Sequence, residues 1–391
     1  MSPLRNTDIL CFSTTDWDAQ FGSRQEIMER LASRNRVLFV EPPRNLLNYG
    51  RFQEFNGQRA YIKEAFTGKL RRLNKSLWVY TPGIVVPGGL RPVTNFIGYR
   101  LVLRQKVKRV MKDIGFDKVL MWIYPVPCAG IIGCFNEKLR VYHCIDEYTE
   151  LASSVSSSAR IWNVERQLIE KCDIVFASSR SIYEKRRHLN PRTYYLPSAV
   201  DFNAFSGGSV RAKPDDMVSN AGRPVVGMVG TIDDRVDFSL LEGVIKTNSD
   251  KDFVIIGNIL EHVTTKAQAL MECKNVFFLG RKPKNALPGY LGHMDVCIIP
   301  YIINEFTKGI SPLKLYEYMA AGRPVISTPL PEAKELGDMV YIAPDREGFH
   351  SAIGRALSEA GVMRDRRMRF ASMNTWDSRV AFIEDALGGL I

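Results

Sequence analysis

Short apolar segments alternate with helical segments along the whole chain, and this alternation constrains the fold more than any other feature. In the first half, apolar runs predict strands at Asp8–Ser13, Val37–Val40, Leu77–Tyr80, Val119–Ile123, Val141–Ile145, Ile174–Ala177 and Tyr194–Leu196. Helices are predicted near Arg24–Arg34, Thr94–Lys112, Ile161–Lys171 and Ser181–His188. A second series of strands is predicted at Val225–Val229, Phe253–Ile256, Val276–Leu279, Val296–Ile299, Val325–Ser327 and Val340–Ile342. Strands that alternate with helices are typical of parallel sheets, so the fold class is α/β.

The segment between the two series indicates where one domain ends and the next begins. Residues Asp201 to Gly222 are rich in Gly, Ser, Asn, Asp and Pro, and we interpret them as a linker. The chain has 391 residues, enough for two domains that each bury a core. We therefore expect two Rossmann-like domains facing a cleft, the first over residues 1–200 and the second over 201–371. Open α/β sheets bind ligands at the carboxyl ends of their strands.

The composition excludes several classes of protein. Hydrophobic residues make up 45% and charged residues 24%, as in a globular protein. No apolar run approaches the roughly 18 residues of a membrane-spanning helix, and the N-terminal residues do not resemble a secretory signal. The seven cysteines include no Cys-x-x-Cys pair, and several lie in apolar runs, which indicates buried thiols in a reducing compartment. A cytoplasmic location is expected.

Residues 309–324 predict a helix whose two ends are both marked in the sequence. Ser311 is a candidate N-cap, and Pro312 suits the first helical position. Gly322, followed by Pro324, is expected to end the helix.

The start of this helix has the features of a diphosphate site. Unpaired amide groups at a helix start and the first-turn Lys314 attract anions, and Gly309 lets the backbone approach a ligand closely. Glu317 lies three residues after Lys314, on the same face, where its carboxylate can accept hydrogen bonds from sugar hydroxyls. We therefore expect a nucleotide with its phosphates at the helix start and its ribose beside Glu317. The alternative is a capped core helix whose charges face water.

The run SPLKLYEYMAAGRPVIST, from Ser311 to Thr328, resembles the donor-binding segment of glycosyltransferases with the two-Rossmann GT-B fold. Weaker similarities to bacterial polysaccharide glycosyltransferases occur at Phe12–Trp17, Val37–Pro43, Val141–Tyr148, Val226–Asp233 and Asn275–Arg281. The resemblance implies transfer of a hexose from a nucleotide-sugar donor, with a UDP-sugar favoured, to a lipid-linked or saccharide acceptor. The resemblance also implies that residues 372–391, including a helix predicted at Thr375–Leu387, cross back onto the first domain. No metal or other cofactor is expected, because positive groups can stabilise the leaving diphosphate.

The resemblance also assigns the donor-binding residues. These are Gly230, Arg235, Gly280, Arg281, Lys308, Gly309, Ile310, Ser311, Pro312, Leu313, Lys314 and Glu317. Arg235 and the lysines would bind the diphosphate, and the loop from Arg281 to Leu287 would hold the base. Two positions depart from the usual pattern, because Thr231 stands where a cation is frequent and Gly309 where a glutamate is frequent. Whether the reaction retains or inverts the anomeric configuration is therefore left open.

Asp146 is the candidate catalytic base, because it directly follows a strand that should end at the ligand edge. In inverting transfer a carboxylate takes the proton of the attacking hydroxyl, and the Ile-Asp-Glu sequence is similar to that of xanthan-type glucuronosyltransferases. In a retaining reaction Asp146 would orient the acceptor instead. The neighbouring His143 is interpreted as a structural residue. Acceptor contacts are expected from Asp16, Trp17, Arg24 and Gln25; a metal at the Asp16–Asp18 motif is the less favoured interpretation.

Most of the positive charge lies in one region. Residues 51–112 contain fourteen Lys or Arg and two acidic residues, a net charge of +12, whereas the whole chain carries +11. We interpret this region as a surface for anionic lipid headgroups, which would place the protein at the inner face of the plasma membrane, where a lipid-linked acceptor lies. An ordinary solvated helix face is the alternative. Two other functions remain open: a nucleotide-sugar epimerase with the same double fold, and a non-catalytic protein that binds nucleic acid through this region.

Overall fold

The computed structural model describes residues 4–19, 22–45, 68–85, 96–151, 154–207, 212–217, 219–220 and 222–390. The chain divides into two compact units. The first comprises Met1–Pro197 and Arg379–Ile391, and the second comprises Ser198–Ser378. Each unit has its own sheet, mainly parallel in the first unit and fully parallel in the second, and its own hydrophobic core.

The sheet of the first unit contains eight strands among the described residues. In chain order the strands of this unit are β1 (Asp8–Phe12), β2 (Arg36–Val40), β3 (Arg44–Asn45), β4 (Lys69–Arg72), β5 (Leu77–Thr81), β6 (Ile84–Val85), β7 (Val119–Ile123), β8 (Glu137–Cys144), β9 (Ile174–Ala177) and β10 (Thr193–Tyr195). The order in the sheet is β10-β9-β8-β7-β1-β2-β5-β4, and β3 pairs separately with β6. Every neighbouring pair in the main sheet is parallel except β4 with β5.

Helices cover this sheet, and the central strands are therefore apolar along their whole length. All five residues of β7 are buried, as expected for a parallel strand packed on both faces. The α-helices are α1 (Ser23–Leu31), α2 (Arg104–Asp113), α3 (Val155–Lys171) and α4 (Arg180–Arg186). A π-helical segment, Phe96–Leu103, precedes α2.

The second unit has a six-stranded, fully parallel sheet among its described residues. Its strands are β11 (Val225–Val229), β12 (Asp252–Ile256), β13 (Val276–Phe278), β14 (Val296–Ile299), β15 (Val325–Ser327) and β16 (Val340–Ile342). Its helices are α5 (Phe202–Ser206), α6 (Phe238–Thr247), α7 (Thr264–Met271), α8 (Leu287–Leu291), α9 (Glu305–Lys308), α10 (Leu313–Ala320), α11 (Pro331–Lys334), α12 (Arg346–Leu357) and α13 (Gly361–Met373).

The strand order of the second unit, β13-β12-β11-β14-β15-β16, creates a switch point between β11 and β14. From β11 the chain continues to β12 and β13 on one side, whereas from β14 it continues to β15 and β16 on the other. Ligands of such sheets bind beside the carboxyl ends of the two strands at the switch. Helix α10 follows β14 in the chain, so its start lies at this edge.

The last helix, α14 (Trp376–Gly388), ends in the first unit. Arg379 donates a hydrogen bond to the carbonyl oxygen of Pro197 at 2.9 Å. The ring of Phe382 packs edge-on against Tyr194, and Glu384 lies 3.5 Å from Arg34. These contacts attach the C-terminal residues to the first unit.

Two segments differ from the sequence-based expectation. The described beginning of the segment interpreted as a linker is folded into the second unit, because Asp201 caps α5 and Phe205 is buried in the core. The composition of residues 153–158, which are mostly serine, predicts a polar loop. From Ser154 on, where the structure describes them, they instead begin α3: the Ser154 hydroxyl accepts a hydrogen bond from the Ser157 amide. Serine favours a helix start when its side chain can cap the first turn.

The basic region is described only in part. Residues 51–67 and 86–95, which are part of the surface predicted to bind anionic lipid headgroups, lie outside the described residues. On α2, Val107, Val110 and Met111 are buried, whereas Lys108, Arg109 and Lys112 are exposed. Within the described ranges, no helix combines the length and the apolar character needed to cross a membrane.

Candidate functional site

A close approach of two loops forms the centre of the candidate donor site in the second unit. Gly230 follows β11 and has φ of +142°, and a Cβ atom there would lie 2.4 Å from Cε of Lys314. Gly257 follows the adjacent strand β12, and a Cβ atom there would lie 1.8 Å from the carbonyl oxygen of Gly230. The absence of both side chains therefore lets Lys314 lie directly against the end of β11.

The helix start differs in detail from the prediction. Helix α10 begins at Leu313, with Pro312 in the N-cap position and no side-chain cap. The Ser311 hydroxyl instead accepts a hydrogen bond from the Ser198 amide at 3.1 Å, and the Ser198 hydroxyl donates to the Ser311 carbonyl at 2.7 Å. The predicted capping role of Ser311 is therefore wrong, because a residue distant in sequence occupies its hydroxyl.

The missing cap leaves the start of α10 suited to an anion. Among the described residues, the amide groups of Leu313 and Lys314 have no hydrogen-bond partner. Unpaired amides at a helix start carry partial positive charge and attract negative ligands. The other end matches the prediction: Gly322 has φ of +68°, and the Arg323 amide donates to the Tyr318 carbonyl at 3.0 Å.

Lys314 and Glu317 lie on one face of α10, and both are half-buried. In the described part of the chain, neither makes an ion pair or a hydrogen bond through its side chain. Lys284 lies in the loop after β13 that was predicted to hold the base, but the sequence did not indicate that its side chain interacts with Glu317. Burial lowers the pKa of Lys284, and the Glu317 carboxylate acts in the opposite direction. The one feature of the sequence that could have indicated a functional role for Lys284 is its position in a loop at the carboxyl ends of the strands.

Of the remaining predicted donor residues, Arg235 and Lys308 are paired with carboxylates, whereas Gly280 and Arg281 lie in an exposed loop. Arg235 forms a two-pronged ion pair with Asp233, at 2.8 and 2.6 Å, and Lys308 pairs with Glu305 at 2.7 Å. These two cations are thus already partly neutralised, unlike Lys314. Arg281 is exposed after Gly280, whose carbonyl oxygen accepts a hydrogen bond from Gly257.

The backbone on either side of this helix start is fixed by packing. Gly309 ends α9 with an ordinary φ of −88°, and its amide donates to the carbonyl of Phe306. Ile310 is buried in the core of the second unit, so its side chain faces the protein interior. Any contact from these two residues to a donor would therefore involve the backbone.

Asp146 lies in the first unit, two residues after the end of β8. Its side chain is 33% exposed, and one carboxylate oxygen lies 3.9 Å from Nη2 of Arg24. Arg24, in the first turn of α1, also lies over the ring of Tyr124 at 5.5 Å. The structure therefore brings together a partly exposed carboxylate and a cation, both predicted as functional residues from separate segments.

Trp17 and Gln25 do not present their side chains as predicted. Trp17 is only 7% exposed and packs edge-on against Phe39. Gln25 is fully buried, and its amide nitrogen donates to the carbonyl oxygens of Asp16 and Trp17. Both side chains stabilise the loop after β1, so an exposed aromatic surface for an acceptor is not formed by Trp17. Asp16 is exposed.

The Asp-Trp-Asp motif does not collect metal ligands in the structure. Asp18 forms an ion pair with Arg71 at 2.6 Å. No group of three or more His, Cys, Asp or Glu side chains arranged to hold a metal occurs in the described part of the chain.

His143 is packed as a core aromatic residue, as expected. Its ring lies within 5.0 to 6.0 Å of the rings of Tyr124, Trp122 and Phe176. Burial, with a smaller effect from Arg24, lowers the pKa of His143 to about 3. The imidazole is therefore neutral at physiological pH.

Comparisons with known proteins agree with this geometry. Residues 223–359 match the model of a family described as glycosyl transferases group 1. TuaH of Bacillus subtilis, which is named as a teichuronic acid biosynthesis glycosyltransferase, is 24% identical over 255 residues. That alignment covers 61% of this chain and 64% of TuaH, so slightly less than two thirds of the relative is matched.

Solved structures resemble the chain over nearly its full length. Sucrose-phosphate synthase from Thermosynechococcus elongatus has a TM-score of 0.69 and 16% identity, with 98% of this chain and 99% of that chain covered. HepE from Anabaena, solved in complex with UDP and glucose, has a TM-score of 0.66 and 15% identity, with 97% and 98% covered. The predicted fold of two Rossmann-like units is confirmed. Residues 223–359 are therefore similar to group 1 glycosyl transferases, and the chain as a whole has the GT-B fold.

Proposed function

We propose that this protein is a hexosyltransferase that takes a sugar from a nucleotide-sugar donor and transfers it to a lipid-linked or saccharide acceptor. A UDP-sugar is the favoured donor, and the product belongs to a cell-surface polysaccharide or glycolipid. TuaH, by its name, acts in teichuronic acid biosynthesis, which supports the polysaccharide assignment. HepE was solved with UDP and glucose, which supports the donor assignment. The epimerase and nucleic-acid alternatives gain no support from these relatives.

The observation that carries the proposal is the position of Lys314. Its ammonium group lies against Gly230 at the switch point, and the unpaired amides at the start of α10 belong to the same turn. A diphosphate placed there would meet a cation and a helix start together. As the glycosidic bond breaks, negative charge builds on the diphosphate, and these groups stabilise it without a metal. Glu317, one turn further along α10, is the proposed acceptor of hydrogen bonds from the ribose.

In the first unit, Asp146 is the proposed base. Its carboxylate is partly exposed and lies beside Arg24. In an inverting reaction Asp146 takes the proton from the acceptor hydroxyl as that oxygen attacks the sugar. Arg24 and Asp16 are the proposed acceptor contacts, whereas the buried Trp17 and Gln25 support the loop. If the configuration is retained, Asp146 orients the acceptor.

The exposed face of α2 supports a peripheral membrane location. Lys108, Arg109 and Lys112 are exposed, whereas the opposite face of the helix is buried in the core. Each basic residue near an anionic surface contributes about 1 kcal/mol to binding. Three such residues would favour the inner face of the plasma membrane, where a lipid-linked acceptor is available.

A donor-binding experiment tests the proposal. The protein is titrated with UDP, GDP, ADP and UDP-hexoses, and both thermal unfolding and heats of binding are measured. A ligand bound only by the folded state raises the melting temperature, and UDP is expected to give the largest increase. Lys314→Met should abolish most of that increase, whereas Lys246→Met, an exposed lysine of α6 paired with Glu242, should not.

Sugar transfer is then measured from the best donor to a polyprenyl-diphosphate-linked saccharide, with and without a chelator. Transfer that persists in the chelator is expected. Failure of every nucleoside diphosphate to bind, or equal binding by wild type and Lys314→Met, would refute the proposal.

A further inference from the structure

A buried network of charged side chains includes Glu147, the residue that follows Asp146. Arg186 of α4 is fully buried between two carboxylates, Glu147 and Glu165. Its Nη2 atom lies 2.8 Å from Glu147, and its Nε atom lies 2.9 Å from Glu165. Glu165 belongs to α3, so the network joins two helices to the residue immediately after Asp146. No motif in the sequence indicated it.

The backbone on both sides of Asp146 is anchored as well. The Ser178 hydroxyl donates to the carbonyl oxygen of Ile145 at 2.9 Å. The Cys144 thiol lies 3.5 Å from the carbonyl oxygen of Asp146, and the Thr149 hydroxyl donates to the Glu147 carboxylate at 2.8 Å. The turn is therefore held by its neighbours at several points, while the Asp146 side chain itself remains partly exposed.

The polar groups of the network are well satisfied. The Tyr142 hydroxyl and the Cys144 thiol donate to Glu165 at 2.8 and 3.2 Å. Burial alone would raise the pKa of Glu147, but hydrogen bonds and charge from Arg186 outweigh it and lower that pKa to about 2. The Glu147 carboxylate is thus ionised throughout the physiological range.

Stability alone is a weak explanation for such a network. Replacing a buried ion pair by well-packed apolar residues is often neutral or stabilising, because desolvation offsets the attraction between the charges. A buried ion network can instead fix the positions of the segments that carry it, because moving one charged group away would leave its partner buried and unpaired. Here the fixed segment is the turn that presents the proposed base.

We propose that Glu147 and Arg186 are positioning residues, whose buried ion pair fixes the turn after β8 and so holds the Asp146 carboxylate beside Arg24. This inference rests on the proposed function, in which Asp146 takes the proton of the acceptor hydroxyl. A shift of about 1 Å in a reacting group can lower the rate on the order of 100-fold. Loss of the network should therefore affect kcat more than donor binding.

The test is Glu147→Gln, compared with the matched control Asp173→Asn. Like Glu147, Asp173 accepts two hydrogen bonds from one arginine. Its partner is Arg140 of β8, and both distances are 3.0 Å. Both variants remove one carboxylate from an ion pair with an arginine. We expect kcat to fall roughly 10- to 100-fold in Glu147→Gln only, with the donor KM within about twofold of wild type.

A second, milder variant keeps the test valid if Glu147→Gln does not fold. Ser178→Ala removes one anchor of the turn without burying a charge, and kcat is expected to fall several-fold at an almost unchanged melting temperature. A purely structural role would instead lower the melting temperature of Glu147→Gln and leave kcat of both folded variants at the wild-type value. That result would overturn the inference.

Asp146→Asn separates this inference from the proposed function. If Asp146→Asn is inactive while Glu147→Gln and Ser178→Ala keep full kcat, the positioning role alone fails. If Asp146→Asn keeps full kcat, the assignment of the base fails, and the positioning role fails with it. If wild type transfers no sugar from any donor, the proposed function itself is refuted.

Discussion

Substituting Gly230 by alanine should weaken binding of the donor through Lys314. The new Cβ atom would lie 2.4 Å from Cε and 2.8 Å from Nζ of Lys314. Non-bonded carbon atoms prefer about 3.5–4.0 Å, so the lysine has to move by more than about 1 Å. The backbone is also unfavourable for alanine, because φ at this position is +142°.

The size of the effect follows from the interaction that is lost. A hydrogen bond to a charged group contributes about 1.5–3 kcal/mol. Losing the contact between Lys314 and the diphosphate should therefore weaken UDP binding by about 10- to 150-fold. Backbone strain of about 1–3 kcal/mol should lower the free energy of unfolding as well.

Isothermal titration calorimetry with UDP measures the first effect, and urea unfolding measures the second. Gly354→Ala is the matched control, because Gly354 lies within α12 and nothing lies within 4 Å of the added Cβ. Its UDP affinity should equal that of wild type. If Gly230→Ala is destabilised as expected but binds UDP as tightly as wild type, Lys314 does not contact the diphosphate and the reasoning is refuted.

Three further predictions concern stability and the membrane surface. Gly322→Ala should lower the free energy of unfolding by about 1–2 kcal/mol, measured in urea, because φ is +68° there. Glu147 has a pKa of about 2 in the folded state against 4.5 ordinarily. The ionised carboxylate therefore stabilises the folded state by on the order of 3 kcal/mol above about pH 4.5, and this contribution is lost as the pH falls toward 2. Glu147→Gln should therefore flatten the acid dependence of unfolding. Replacing Lys108, Arg109 and Lys112 by glutamine should weaken binding to phosphatidylglycerol vesicles by about 3 kcal/mol, measured by sedimentation.

Each of these predictions has a control or a contrary result. Gly361→Ala adds a Cβ that meets nothing within 4 Å, so it should leave urea unfolding unchanged. An equally steep acid dependence in Glu147→Gln would show that other carboxylates dominate it. Unchanged vesicle binding by the triple variant would show that the basic residues of α2 do not contribute to membrane binding.

Local patterns predicted the elements of the second unit well. The apolar runs at Val225–Val229, Val296–Ile299 and Val325–Ser327 are strands with those bounds, because strands buried on both faces must be apolar throughout. Gly322 ends α10 as predicted, since only glycine readily adopts the required left-handed backbone. Asp146 follows β8 closely because a strand end can be read from the sequence.

Tertiary contacts explain what the sequence could not predict. Serine is a favoured residue type at a helix N-cap, so the sequence predicted that role for Ser311. In the structure the Ser311 hydroxyl instead accepts a hydrogen bond from the amide of Ser198, more than a hundred residues earlier. Trp17 is as compatible with a sugar-stacking surface as with a core, and only the position of Phe39 decides the outcome. The pairing of Glu147 with Arg186 joins segments 39 residues apart, and no local pattern marks it.

The most direct test of the account compares the affinities of uridine, UMP and UDP for wild type and Lys314→Met. If the start of α10 and Lys314 bind the diphosphate, affinity for wild type should rise strongly with each phosphate added. Lys314→Met should then lose most of the gain from the phosphates while binding uridine as wild type does. Equal affinity of wild type for uridine and UDP, or an equal loss for both ligands in Lys314→Met, would contradict the account.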